Sequence, residues 1–309
     1  MPIEKIPGGF RFGSYSFVGK DDGILFLSSD ASRFVYAGNS LSAIDKLLRT
    51  IGGLFQYTIV SDGVPRHFGN FVNNQFDPRG HIDLEKERSQ QLGSKLESRY
   101  FVFHYSPQAM DIESLEIAAT ELDTYVEEVA LGLELDKPNY KIHAYIYSDE
   151  NEKLLLSGHP GRGGVTYGKE MHLLGLEPIE HETVHVLFNS EVSTNNSNFF
   201  NEGIVSYYSF TTSERDLENA KEIVKKYLAE PIEEWADGSV YFFHTPSENG
   251  WPVAYPASGL FVKFLIDYHG LVKFKEFYKI ADIEAGFIKT YGKSLAEMVV
   301  EWKSDDRSW

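Results

Sequence analysis

The sequence predicts an α+β fold: a small mixed β-sheet followed by a mainly helical part, with a β-rich region ahead of both. Three observations carry this expectation. Short β-type runs broken by turn residues fill roughly the first 80 positions. Two strand-like runs, residues 100–105 (YFVFHY) and 141–147 (KIHAYIY), flank a stretch of helical periodicity. After residue 174 helical spacing dominates, and Gly270 and Gly292 read as helix stops.

In the first region, residues 11–18, 24–27 and 34–37 read as strands, with Asp21-Asp22-Gly23 as the turn between the first two. A helix is expected over 41–51. Its apolar positions are Leu41, Ile44, Leu47 and Leu48, and it stops at Gly52-Gly53. Residues 54–60 read as one more strand, and no catalytic constellation stands out here. Residues 82–98 (IDLEKERSQQLGSKLES) are highly charged, which suits a solvated helix or linker. A boundary near 95 follows, giving an N-terminal β-rich region (1–95) and a second domain (96–309). In that second domain Leu115, Ala118, Leu122, Tyr125, Val129 and Leu133 recur at helical spacing. Residues 158–164 (GHPGRGG) form a loop, and 165–174 have room for a further strand. Ser294-Leu-Ala-Glu297 has the form of a capping box opening the last helix.

The 309 residues are enough for one large or two modest domains. Acidic residues outnumber basic ones by 46 to 29, a formal net charge of −17. Such a surface repels phosphate backbones and anionic headgroups, so neither nucleic acid nor membrane is expected as a partner. The absence of cysteine excludes disulfides, thiolate metal sites and a cysteine nucleophile. No basic n-region with an apolar stretch opens the chain, and no run approaches the roughly 18 apolar residues of a membrane span. A soluble chain is expected. An export leader removed beforehand, as from a secreted bacterial protein, would leave no trace, so the compartment stays open.

The decisive segment is His181-Glu182-Thr183-Val184-His185, an H-E-x-x-H. On a helix, residues four apart face the same way, so two imidazoles can share one metal ion. Glu182, next to His181, can reach a water on that metal and act as general base. Pro178 suits the first turn of this helix, and Ile179, Val186 and Leu187 can supply its buried side. A catalytic zinc needs a third protein ligand. Glu191 stands where an H-E-x-x-H-x-x-G-x-x-H arrangement places its last ligand, but that arrangement turns the chain at a glycine and Phe188 occupies the position. Glu202 fits better. It lies in residues 198–208 (NFFNEGIVSYY), a helix-like stretch far enough from His185 for one helix to end and another to return. Gly203 beside it permits close packing.

H-E-x-x-H followed by an Asn-Glu-Gly-x-x-x-Tyr helix resembles the gluzincin metallopeptidases, the group of thermolysin and aminopeptidase N, and most of all the peptidase-MA-like bacterial proteins. Residues 255–270 (YPASGLFVKFLIDYHG) resemble that family's helix after the active site. Residues 291–302 (YGKSLAEMVVEW) resemble its closing helix. The likeness spans roughly residues 96 to 302. It implies a zinc-dependent peptide-bond hydrolase with a peptide or protein substrate, and metal ligands His181, His185 and Glu202. It also implies an oxyanion donor from further along the chain, for which Tyr255 is the choice, with His244 and Tyr207 in reserve. A substrate-pairing strand is implied within 165–174. Two departures matter. Residues 163–168 match the amine-anchoring Gly-x-Met-Glu-Asn of the aminopeptidases only loosely, and Ser206 stands where thermolysin-like members carry an aspartate. A peptidase-like binding protein, or a metal-dependent hydrolase of other substrates, are the rival readings.

Overall fold

Residues 3–27, 34–48, 55–72, 75–159, 161–193, 197–226, 232–237 and 253–305 are described by the computed structural model. Two compact units are present, residues 1–125 with 138–182, and residues 126–137 with 183–309.

The first unit begins with an antiparallel meander of β1 (Ile3–Ile6), β2 (Gly9–Phe12) and β3 (Tyr15–Phe17). The single strand expected over 11–18 is thus two, folded back at Gly13-Ser14. Next comes an antiparallel five-stranded sheet in the order β5-β4-β6-β7-β8. Its strands are β4 (Asp22–Leu27), β5 (Phe34–Gly38), β6 (Tyr57–Ser61), β7 (Val64–Val72) and β8 (Gln75–Asp83), and helix α1 (Leu41–Leu48) connects β5 to β6. Alternation along β4 explains its burial on both faces. Ile24 and Phe26 join Phe10, Phe12, Phe17, Tyr57 and Ile59 in one core. Leu25 points the other way and meets Leu47 and Val60. The turn expected at 21–23 falls earlier, at Gly19 to Asp22, where the Asp22 amide donates to the Gly19 carbonyl. Asp22 is then free to enter β4, since its carboxylate accepts from the Gly19 amide and Ser61 Oγ. The end of the expected helix 41–51 and the start of the expected strand 54–60 lie outside the described residues.

The charged stretch 82–98 holds the expected helix, most of it exposed, and a strand in place of a linker. It forms α2 (Leu84–Gln91), capped by the Asp83 carboxylate, and strand β9 (Ser94–Glu97). Leu84 and Arg88 of α2 are buried. Arg88 tolerates burial because its guanidinium donates to Glu170 at 2.9 Å and to the Leu156 carbonyl at 2.7 Å.

A mixed sheet follows in the order β12-β13-β11-β10-β9. Strand β10 (Phe101–Tyr105) leads through α3 (Ile112–Gly132) to β11 (Ile142–Tyr147), parallel to it. Helix α4 (Glu150–Ser157) and the glycine loop then lead to the antiparallel pair β12 (Val165–Tyr167) and β13 (Glu170–Leu174). The stretch 165–174 is therefore two strands, with β12 at the sheet edge. Position 95/96 falls inside β9, which pairs with β10. One face of the sheet carries His104, Tyr145 and His172 stacked in a row, with Arg88 over the Tyr145 ring.

Besides the end of α3, the elements of the second unit among the described residues are helices, the first of which, α5, starts in the first unit. These are α5 (Ile179–Glu191), α6 (Asn198–Thr212), α7 (Glu214–Lys226), α8 (Ile232–Asp237), α9 (Ala254–His269), α10 (Leu271–Tyr278), α11 (Ile283–Tyr291) and α12 (Leu295–Ser304). Phe199, Phe200, Phe261, Phe277, Phe287 and Trp302, all fully buried, form its aromatic core. Gly270 and Gly292 end helices as expected, and Ser294 with Glu297 makes both hydrogen bonds of a capping box. The fold is α+β as expected. No helix among the described residues is long and apolar enough to cross a membrane.

Candidate metal centre

The H-E-x-x-H segment lies in the first half of α5, which begins directly after Pro178. Ile179, Val184, Val186, Leu187 and Phe188 are all buried, and they fix which side of this helix turns inward. His181 and His185, one turn apart, therefore project side by side. Residue 188 shows why the chain does not turn back here. Phe188 is fully buried, packs edge-on against Tyr278, and α5 runs on for three more residues. Glu191 thus lies six residues beyond His185 on the same helix, about 9 Å along its axis. Its carboxylate instead accepts the Asp136 amide at 2.6 Å.

Helix α6 carries Asn198 to Gly203 in its first two turns, with Phe199 and Phe200 buried. Its approach to α9 is set by Gly203. A Cβ there would lie 2.7 Å from Val262 Cγ2 and 3.0 Å from the Ser258 carbonyl oxygen. The Tyr278 hydroxyl ties α5 to α6, hydrogen-bonded with the Asn189 side chain at 2.9 Å and with that of Asn201. Glu202 follows Asn201.

The result is a convergence of donors. One ligand atom each from His181, His185 and Glu202 lies within 4.8 Å of the other two, and this is the one such group of three or more among the described residues. His185 Nε2 is 3.5 Å from a Glu202 carboxylate oxygen. Two ligands on one tetrahedral zinc, with bonds of roughly 2.0–2.2 Å, are about 3.3 Å apart, close to the His185–Glu202 spacing, and the group of three could hold a metal ion. Two imidazoles and a carboxylate also leave a fourth position open, as a catalytic zinc requires.

Glu182 follows His181 on α5 and is 6% exposed. One carboxylate oxygen accepts from Thr166 Oγ1 on β12 at 2.5 Å. The other faces Gly164, where an added Cβ would come within 2.4 Å of it. Only glycine fits at 164 with the carboxylate in this place. Neither Thr166 nor Gly164 was singled out from the sequence, since a threonine in a short strand and a glycine in a loop carry no local signal of a partner 16 or 18 residues away.

Tyr255 stands half-buried in the first turn of α9, its carbonyl accepting from Ser258 Oγ at 2.8 Å. Tyr207 is half-buried on α6, its phenol pKa pushed up by burial and then by the charges of Asp267 and Glu134. His244 lies outside the described residues. His104 and His143 are partners of each other, at 3.0 Å between ring nitrogens. No protein-family model matches the chain, and no curated protein sequence matches it.

Proposed function

We propose that the chain is a zinc-dependent peptide-bond hydrolase of gluzincin type, with His181, His185 and Glu202 as metal ligands. The observation that carries this reading is the convergence of those three side chains from two helices, with the buried Glu182 next to His181 in the chain. Zinc bound there would supply Lewis-acid polarisation of the scissile carbonyl and a bound water with a pKa near roughly 7.

The residues of the chain do the rest. Glu182 takes the proton of the attacking water and returns it to the leaving amine. Thr166 occupies one Glu182 oxygen, which leaves the other as the proton acceptor. Tyr255 donates its O–H to the developing oxyanion, a role open to a phenol. Strand β12, at the edge of the mixed sheet, offers backbone groups to an extended peptide.

Glu182→Gln tests the assignment, because the amide keeps the shape but cannot accept a proton. The variant retains its zinc and loses hydrolysis of an unfolded protein such as casein by at least about a hundredfold. Loss of zinc instead would make Glu182 a ligand. A zinc-loaded wild type that hydrolyses no peptide would favour a binding protein or a hydrolase of other substrates.

A further inference from the structure

The glycine loop between α4 and β12 is held by a buried cation. Lys153 of α4 has no solvent exposure. Its ammonium donates to the Gly161 carbonyl at 2.9 Å and to the Gly163 carbonyl, two residues apart on the loop. The next residue, Gly164, is the one packed against the Glu182 carboxylate, and Thr166 beyond it donates to that carboxylate. Three positions along the chain thus connect a buried lysine to the general base.

Burying an ammonium is costly unless its protons are used and a counter-charge is near. Both conditions are met. The two glycine carbonyls accept its protons, and the charge of Glu182 opposes the fall in Lys153 pKa that burial causes. A plain surface loop has no need of such an arrangement. Between the two pinned carbonyls sits Arg162, its side chain 88% exposed and paired with Glu150 at 2.7 Å.

We infer that Lys153 and Thr166 are positioning residues. Lys153 clamps the glycine loop through the Gly161 and Gly163 carbonyls, and the clamped loop sets Thr166 and Gly164 against Glu182 so that its carboxylate is held in one orientation. The clamp itself is independent of the peptidase reading, while its effect on catalysis rests on that reading. A carboxylate displaced by about 1 Å from its productive place costs on the order of a hundredfold in rate.

The test uses the full, zinc-loaded chain and two readouts. Trypsin reports the clamp, because cleavage after Arg162 requires the loop to open, and its rate follows the open population. Lys153→Met, similar in length but without donors, is cleaved after Arg162 about tenfold faster than wild type, while other tryptic sites keep their rates. Steady-state kinetics on an unfolded protein report the second half. Thr166→Val lowers kcat about ten- to a hundredfold with KM, zinc content and Arg162 cleavage unchanged, and Thr166→Ser restores kcat. Unchanged cleavage in Lys153→Met overturns the clamp. Unchanged kcat in Thr166→Val overturns the positioning of Glu182. If Lys153→Met does not fold, the Thr166 pair decides alone. If the zinc-loaded wild type hydrolyses no peptide, the peptidase reading and the catalytic half fall together, and the trypsin arm still decides the clamp.

Discussion

Two glutamates within reach of the same helix, Glu191 and Glu202, illustrate how position on a helix decides chemical role. Glu191 remains on α5 and accepts an amide proton from Asp136, whereas Glu202 returns on α6 to within 3.5 Å of His185. Replacing each with alanine separates the roles. Glu202→Ala is expected to weaken zinc binding by at least about a hundredfold, because a catalytic zinc keeps only three protein ligands. Glu191→Ala leaves zinc affinity near wild type and costs about 1 kcal/mol of stability through the lost hydrogen bond. Zinc titration and chemical denaturation of both variants check this. The pairing of His181 with His185 was legible in the sequence because the spacing of H-E-x-x-H is itself a helical geometry. Thr166 and Lys153 were not. Their partners are set by how a strand and a loop fold back, which no periodicity records.

At the scale of elements, α6 and α9 approach closely where Gly203 lies against the Ser258 backbone and Val262. Gly203→Ala would place a methyl where a carbonyl oxygen already stands at 3.0 Å, and the backbone cannot yield as a flexible side chain could. The expected cost is about 1–3 kcal/mol, read as a lower denaturation midpoint with an unchanged m-value. The helices were legible wherever an apolar stripe or a cap marked them. Pro178 before α5, Gly270 after α9 and the Ser294 box before α12 all lie where local chemistry puts them. The segment 82–98 was legible as a charged helix, with one charged residue misjudged. Its charges look solvated in one dimension, but Arg88 is paired with Glu170, 82 positions away. The carboxylate that makes burial of that arginine tolerable lies on β13, far along the chain.

For the whole molecule, the mixed sheet sets a dependence on acid. His104 is held down to about 4, chiefly by burial and next by the charge of His143, and buried His172 is held well below 6.5 for the same first reason. In the unfolded chain both accept protons near 6.5. Between about 6.5 and 4 the unfolded state therefore binds more protons than the folded one, and stability falls as pH drops through that window. Thermal midpoints measured from pH 7 to 4.5 are expected to decline steadily. His104→Gln, which keeps a polar group without a basic nitrogen, makes the decline shallower. An identical slope in that variant would remove His104 from the explanation. The net charge of −17 adds a self-repulsion that lessens as carboxylates protonate, so it opposes the histidine effect and cannot produce the decline.

The central claim is a single zinc held by His181, His185 and Glu202, and elemental analysis of the purified chain tests it most directly. The protein is prepared without chelator, supplied with zinc and freed of loosely bound metal before measurement. The expected result is one zinc per folded chain, lost when His181 and His185 are both replaced by alanine while the helical circular dichroism signal is retained. A wild-type chain that is folded and holds no zinc after that treatment, or a double variant that still holds one, would contradict it.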